Sequence, residues 1–214
     1  MRKSIRAFTG ELVPADVVQA VVLGASRAPS SKNTQPWKLM LVQGTALENL
    51  RADYLAAFNS GKEMGFEYAY NPDPLPEAYK KRAVELGKAF LIHKGIGRED
   101  KDKRREHDSE NYKFFGAKQV FFLAVNKGEY NSGTFLDCGL FLQALITELH
   151  NRGLGCCPQY SVMAYPDLLR KHIPNTETQM FLLALPFGYP QTNHIVNTFV
   201  SQREPLEVFF RVVE

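Results

Sequence analysis

The chain has 214 residues, 44% of them hydrophobic and 23% charged, with a formal net charge of +3. These values predict one globular domain spanning residues 1–214 and give no support for a nucleic-acid-binding protein. The apolar runs are far shorter than the roughly 20 residues that span a bilayer, and no apolar stretch follows the basic positions 2–3. We therefore expect no membrane association and a cytoplasmic location.

Helices and short strands alternate along the predicted chain. A helix is expected to begin at Pro14, with Asp16 in its first turn, and to end before Pro29. The spacing of apolar residues, bounded by glycines and prolines, predicts further helices at residues 46–59, 77–93, 135–151 and 166–172. The same patterns predict strands at residues 37–42, 119–125 and 180–187, and a loop or short strand at 156–161.

A small number of strands separated by helices favours an α+β sandwich over a doubly wound parallel sheet. The C-terminal segment 191–214 contains Phe199, Phe209 and Phe210 but has weak periodicity and no obvious place in the core of its own chain. Packing across a subunit interface would bury it. The sequence therefore predicts a homodimer.

Residues 61–115 are predicted to form a lid or insert. Their first part is irregular, rich in prolines, and contains Phe66, Tyr68 and Tyr70. Later in this stretch, residues 98–110 mix charges of both signs, which is typical of a solvated helix face or a lid. Aromatic rings in such a lid either stack on a flat substrate or pack the lid onto its own helix, and both interpretations stay open.

The three cysteines, Cys138, Cys156 and Cys157, cannot all pair, which is typical of a reducing compartment. We interpret Cys156 and Cys157 as small buried side chains, because no neighbouring cation in the sequence would lower their pKa. The chain has no Cys-x-x-Cys or His-x-x-x-His spacing, so no metal site is expected.

Two stretches can bind ligands. Arg2, Lys3, Ser4 and Arg6, together with Arg203, can form an anion site, and arginine offers the bidentate geometry that phosphate prefers. The alternative is a frayed basic terminus. The stretch 29–37 packs hydroxyl and amide side chains between two prolines and can present them to a flat polar heterocycle, or it is an ordinary helix-to-strand turn.

Several ordered motifs together resemble the nitroreductase family from one end of the chain to the other. They are Arg2-Lys3-Ser4-Ile5-Arg6-Ala7-Phe8, Ala28-Pro29-Ser30-Ser31 with Asn33 and Gln35-Pro36-Trp37, Gly153-Leu154-Gly155 with Pro158, Gly188-Tyr189-Pro190, Asn197, and Arg203-Glu204-Pro205-Leu206. The middle of the chain, with Tyr70-Asn71-Pro72-Asp73-Pro74 and Gly95-Ile96-Gly97-Arg98, resembles the subgroup that acts on nitrobenzoate-like aromatics.

The resemblance implies an FMN cofactor and an α/β/α sandwich with a mostly antiparallel sheet, whose C-terminal tail is exchanged between the subunits of a homodimer. Arg2 and Arg203 would bind the FMN phosphate, with Lys3 and Ser4 near the phosphate and ribityl chain. Arg6 would face the N1/O2 edge of the flavin, where a cation favours the reduced form. A lysine that many relatives carry near the phosphate is replaced here by Ser201-Gln202.

The resemblance also assigns the remaining site residues. The partner subunit would supply Pro29, Ser30, Ser31, Asn33 and Gln35. The turn Pro158-Gln159-Tyr160-Ser161 would lie beside the flavin, with a backbone N–H directed at N5. In the lid, Tyr68 and Tyr70 would contact the substrate.

The function implied is electron transfer from NAD(P)H through FMN to nitroaromatics, quinones or related small aromatics by a ping-pong mechanism. No catalytic acid or base is needed, because positioning and electrostatics suffice. The alternatives are a flavin-fragmenting or reductive dehalogenating relative, and a flavin-binding protein with poor turnover.

Overall fold

An antiparallel sheet lies at the centre of the protein in the computed structural model, which describes residues 2–214. Its strands are β1 (Lys38–Gln43), β2 (Gln119–Asn126), β3 (Gly155–Cys156) and β4 (Gln179–Gly188), in the spatial order β1-β2-β4-β3. The two central strands, β2 and β4, are buried along almost their whole length. Burial on both faces explains why they read as near-continuous apolar runs.

The helices are α1 (Ala15–Ala25), α2 (Gly44–Ser60), α3 (Glu77–His93), α4 (Lys101–Tyr112), α5 (Ser132–Asn151), α6 (Pro166–His172), α7 (Ile195–Thr198) and α8 (Leu206–Phe209). Short 3-10 turns occur at Ser31–Asn33, Phe114–Gly116 and Ser161–Ala164. Among residues 2–214, no helix combines the length and apolar character needed to cross a membrane.

Helices cover both faces of the sheet. Side chains of β2 alternate between the faces, as in any strand. Phe121 and Leu123 pack in one core with residues of α1 and α5, whereas Val120 and Phe122 pack in a second core with residues of α2 and α6. This arrangement confirms the predicted α+β fold, an α/β/α sandwich with an antiparallel central sheet.

Two parts of the chain stay outside these cores. Phe90 is the one buried residue of α3. The C-terminal segment 191–214 has two short helices, α7 and α8, but its last ten residues are all exposed. Six large apolar tail side chains are between 57% and 82% exposed: Leu206, Val208, Phe209, Phe210, Val212 and Val213. A single chain therefore leaves an apolar surface of the kind that usually marks a contact with another molecule.

Candidate functional site: the cationic N-terminal segment and the turn after strand 3

The N-terminal segment, residues 2–8, lies against the edge of the sheet. Ser4 forms a parallel bridge with Cys156, and the Ile5 N–H donates to the Cys156 carbonyl at 2.9 Å. Gly155 allows this approach, because a Cβ at that position would lie 2.5 Å from Cγ1 of Ile5. The segment that carries the predicted anion-binding residues is therefore an ordered part of the sheet edge, which excludes the alternative of a frayed terminus.

Asn197 holds this segment from its other side. Its side chain is completely buried. Its Oδ1 accepts a hydrogen bond from the Arg6 N–H at 2.8 Å, and its Nδ2 donates to the carbonyls of Ala7 and Gln191 at 2.8 and 2.9 Å. One buried amide thus ties the start of the chain to the C-terminal segment. The sequence indicates Asn197 only through the family resemblance, because its hydrogen-bond partners lie up to 191 positions away.

The side chain of Arg6 is placed by two aromatic rings. Its guanidinium carbon lies 4.9 Å from the ring centroid of Phe90 and 5.9 Å from that of Phe115, within the range of cation–π attraction. The sequence did not indicate either ring. Phe90 belongs to α3 and is that helix's buried anchor, so the lid region and the N-terminal segment meet at Arg6.

A cavity of about 540 Å³ lies on one side of Arg6. Lys94 and His107 line it, with Nζ of Lys94 3.0 Å from Nδ1 of His107. Burial lowers the pKa of both groups, and the charge of Lys94 lowers that of His107 further. Glu106 and Glu110 also line the cavity and partly offset the positive charges. Among the described residues 2–214, Arg6 is the one predicted cofactor-binding residue that lines this cavity.

The predicted anion-binding cations have no carboxylate partners. None of the ion pairs formed among residues 2–214 includes Arg2, Lys3, Arg6 or Arg203. Arg2 and Lys3 line a second cavity, of about 200 Å³, beside the glycines of β3 and its preceding turn. Uncompensated cations beside a recess are the donor set that a phosphate group requires.

Arg203 is not brought into contact with the N-terminal segment in the described chain. Its guanidinium donates to Oγ of Ser201 at 2.7 Å and to the carbonyl of Gln202 at 2.9 Å. The next residue, Glu204, forms an ion pair with Arg82 of α3 at 2.7 Å. Arg203 is exposed.

The turn after β3, residues 158–161, is only partly free to bind a ligand. The Gln159 N–H donates to the Ala184 carbonyl at 2.8 Å, and the Gln159 side chain is buried and donates to the carbonyl of Asn111. The N–H of Gln159 is therefore engaged within the sheet. Pro158 is exposed, and Tyr160 and Ser161 are partly exposed, so these residues form the accessible part of the turn.

Aromatic rings from the predicted lid surround Tyr160. Phe66 stacks on it with centroids 4.7 Å apart and an interplanar angle of 17°, and Tyr70 lies 4.8 Å away. Tyr68 meets its edge at 5.2 Å. The hydroxyl of Tyr68 donates to the Leu182 carbonyl at 2.5 Å, and burial raises its pKa well above the usual value. Tyr68 is therefore an anchor, whereas Tyr70 is 58% exposed.

The polar loop after α1 is exposed but rigid. Lys32, Asn33 and Gln35 all have positive φ angles, between 47° and 59°. The Gln35 N–H donates to Oγ of Ser30 at 3.0 Å, and the Ser31 N–H donates to Oδ2 of Asp137 at 3.1 Å. The loop is therefore not an ordinary turn. It is a fixed platform whose polar side chains point away from its own core.

In one chain, this loop and the N-terminal segment do not form a single site. Ser31 contacts Asp137 near the start of α5, whereas Arg2 shares its cavity with His150 near the end of α5. Asp137 and His150 are 13 residues apart on one helix, a distance of about 20 Å along the axis. The structure thus brings residues 2–6 into contact with β3 and with two rings of the predicted lid region, Phe90 and Phe115, and leaves residues 29–35 apart from them.

The neighbouring thiols are buried. Cys156 and Cys157 are each 4% exposed. Burial raises the pKa of Cys156 to about 12 and also raises that of Cys157, although the charges of Arg2 and Arg6 act in the opposite direction. This confirms their interpretation as buried structural side chains. Among residues 2–214, no group of three or more His, Cys, Asp and Glu side chains could hold a metal ion.

Comparison with known proteins gives the family. The model of the nitroreductase family matches residues 1–189. A 4-nitrobenzoate reductase from Pseudomonas putida is 30% identical over 97% of this chain and 90% of its own length. The crystal structure of the FMN-dependent nitroreductase NfnB from Mycobacterium smegmatis in complex with NADPH matches with a TM-score of 0.93 and 26% identity, covering 100% of this chain and 95% of that chain. An iodotyrosine deiodinase from Nematostella vectensis is less similar, 24% identical over 96% of this chain and 70% of its own length. The motifs, the fold and these matches agree, and the chain belongs to the nitroreductase family.

Proposed function

We propose that this protein is an FMN-dependent oxidoreductase that transfers electrons from NAD(P)H to nitroaromatics, quinones or related small oxidised aromatics in a ping-pong reaction. The observation that carries the proposal is the set of uncompensated cations at positions 2, 3 and 6, held on the sheet edge of a nitroreductase fold. A cofactor that carries a phosphate group and becomes anionic on reduction matches this set of cations, because the phosphate and the reduced form are both negatively charged.

FMN fits the residues that are present. Arg2 and Arg203 would hold its phosphate, Lys3 and Ser4 would lie near the phosphate and ribityl chain, and Arg6 would face the N1/O2 edge. Bound FMN supplies the two-electron carrier that accepts hydride from the nicotinamide and passes it to the acceptor. The chain contributes binding, orientation and electrostatics, and no side chain is assigned as a catalytic acid or base.

The fixed guanidinium of Arg6 suits its assigned role. Phe90 and Phe115 hold it in place before the flavin is reduced, so little reorganisation is needed when negative charge develops at the N1/O2 edge. The backbone of the turn at Tyr160 and Ser161 would approach the opposite, N5 edge, since the Gln159 N–H is already bonded within the sheet.

We infer that the active form is a homodimer with each FMN shared between subunits. Residues Pro29, Ser30, Ser31, Asn33 and Gln35 would reach the cofactor of the partner, because in their own chain they lie about 20 Å along α5 from the N-terminal segment. The exposed apolar side chains of residues 206–213 would be buried on the partner, which accounts for a tail that covers nothing in its own chain.

The purified protein is expected to be yellow and to contain FMN rather than FAD. The proposed cations can hold one phosphate, but the chain has no Gly-x-Gly-x-x-Gly motif for holding a dinucleotide. Mass spectrometry of the released cofactor identifies it, and anaerobic NADH or NADPH should bleach the flavin, which a nitroaromatic should reoxidise. Finding FAD, or no flavin after reconstitution, would contradict the proposal. Bleaching without reoxidation by any nitroaromatic or quinone would instead favour a flavin-binding protein with poor turnover or a dehalogenating enzyme.

We place the acceptor under the lid formed by residues 61–115. Tyr68 uses its hydroxyl and most of its surface inside the protein, so the exposed ring of Tyr70 is the better acceptor contact of the two predicted residues. One face of Tyr70 is directed at Tyr160, which leaves the other free to stack on a flat acceptor. The basic residues of the charged segment 98–110 would favour an acceptor with a carboxylate, such as a nitrobenzoate.

Replacing Tyr70 with alanine should raise KM for a nitrobenzoate, a neutral nitroarene and a quinone alike, by roughly three- to tenfold, the value of one aromatic stacking contact. Anaerobic flavin reduction by NAD(P)H should change little. Steady-state kinetics measure both, and Tyr130→Ala is a control, since Tyr130 is also exposed (40%) but lies outside residues 61–115. Any nitrobenzoate preference should weaken as salt rises, because exposed charges are screened beyond ~8–10 Å. Unchanged acceptor constants together with a lower melting temperature would make Tyr70 a purely structural residue.

A further inference from the structure

Tyr160 is held between two rings of the lid. Phe66 covers one side of its ring at 4.7 Å, and Tyr70 packs against it at 4.8 Å. The Tyr160 hydroxyl donates a hydrogen bond to the backbone carbonyl of Tyr68. The side chain of Tyr160 therefore has its ring and its hydroxyl both engaged by residues 66–70, although it belongs to the turn after β3.

The stretch that carries Phe66 is itself fixed to the core. The Gly65 N–H donates to the Ala164 carbonyl at 2.9 Å. Glu67 forms ion pairs with Arg170 at 2.6 Å and with Lys127 at 3.0 Å, and its side chain is only 17% exposed. With the Tyr68 hydroxyl bond, anchors lie on both sides of Phe66. These contacts hold Phe66 in place, whereas Tyr70 follows the last of them in the sequence.

We propose that Phe66 is a positioning residue for electron transfer, acting through Tyr160, whose backbone N–H it holds at the N5 edge of the flavin. The proposal rests on the function proposed above. It differs from an acceptor-binding role, because Phe66 sets the geometry of the flavin contact and Tyr70, on the outer side of the Tyr160 ring, meets the acceptor. The lid and the turn 158–161 then form one structural unit, so that a substitution in the lid changes the hydrogen bond to N5 of the flavin.

The physical reason is the cost of moving Tyr160. Its turn is short, and its neighbour Gln159 is bonded to Ala184 in both directions at 2.8 and 2.9 Å. A shift of the backbone at position 160 therefore requires the Tyr160 ring to slide out of its stack on Phe66. Losing the Phe66 ring removes that restraint and lets the N–H leave the line to N5. A hydrogen bond weakens steeply as it departs from linearity.

The test compares Phe66→Leu with the conservative Phe66→Tyr in the FMN-loaded protein. Phe66→Leu should shift the flavin midpoint potential in the positive direction, because a donor at N5 favours the oxidised flavin, whose N5 accepts, over the reduced flavin, whose N5 carries hydrogen. It should also slow anaerobic reduction at saturating NAD(P)H by about two- to tenfold, the value of one stacked ring. Phe66→Tyr keeps the ring and should restore both values, and KM for the acceptors should stay close to the wild-type value in both variants.

Tyr130→Leu is the matched control. Tyr130 has the same 40% exposure as Phe66 and packs on Phe135, not on Tyr160. If Phe66→Leu has the wild-type potential and reduction rate, or if Tyr130→Leu changes them as much, the proposal is overturned. Should Phe66→Leu not fold, Tyr160→Leu decides instead: it removes the ring on which Phe66 stacks and keeps the backbone N–H, so a positive shift supports the proposal and an unchanged potential overturns it. A wild-type protein that NAD(P)H does not reduce would remove the proposed function itself, which is a distinguishable outcome.

Discussion

Replacing Arg203 with alanine is expected to weaken FMN binding at least tenfold while leaving the potential of the bound flavin almost unchanged. The phosphate has the same charge in both redox states of the flavin, so a phosphate contact stabilises both equally. A charged hydrogen bond is worth about 1.5–3 kcal/mol, which corresponds to roughly ten- to more than a hundredfold in the dissociation constant. Fluorescence titration of the apoprotein with FMN measures it.

Arg6→Ala should have the opposite profile. Arg6 is held by Phe90 and Phe115 at the place assigned to the N1/O2 edge, where reduced flavin carries its negative charge. Removing the cation should lower the midpoint potential clearly and weaken FMN binding less than Arg203→Ala. Arg98→Ala, an exposed arginine that forms no ion pair among residues 2–214, serves as the control for a general loss of positive charge. Equal shifts of potential from Arg6→Ala and Arg203→Ala would show that Arg6 is misplaced.

Local sequence signals predicted most of the fold, and the misses have physical causes. Helices α3 and α6 occupy the predicted ranges, because Pro76 and Pro166 mark their starts. Helix α5 begins three residues earlier than predicted, since Asn131 and the side chain of Thr134 form a capping box. The sequence carries this signal as an asparagine at position 131 followed three residues later by a threonine. Strand β1 begins one residue later than predicted, because its pairing with β2 starts at Lys38, opposite Ala124.

The candidate site was predictable only where its residues are close in sequence. Arg2, Ser4 and Arg6 share one strand-like segment, so their proximity was visible. The bonds from Asn197 to Arg6, and the packing of Phe66 on Tyr160, join residues more than ninety positions apart. No periodicity or spacing reports such contacts, because they depend on how the completed sheet places its loops. The bond from the Gln159 N–H to Ala184 on β4 is another contact of this kind.

A mixed dimer built from two defective chains is expected to bind one FMN tightly, although each defective homodimer binds none tightly. One chain carries Arg2→Ala and Arg203→Ala, which damages the phosphate site. The other carries Ser31→Ala and Asn33→Gly, which damages the loop. Glycine replaces Asn33 because its φ of +59° would strain alanine. If the loop serves the partner's cofactor, the mixed dimer contains one site with both halves intact and one with both damaged.

The cis arrangement of the same four substitutions decides between shared and unshared sites. When all four lie on one chain that is paired with a wild-type chain, a shared site predicts that each cofactor meets one damaged half, so no FMN is held tightly. A site contained in one chain predicts the reverse, with one intact site in the cis dimer and none in the trans dimer. Differently tagged chains, co-expressed and purified by both tags, give each dimer cleanly, and FMN titration counts the tight sites. We expect tight binding in the trans dimer because about 20 Å of α5 separates the Ser31 contact at Asp137 from the Arg2 cavity at His150, a gap that the proposed second subunit would bridge.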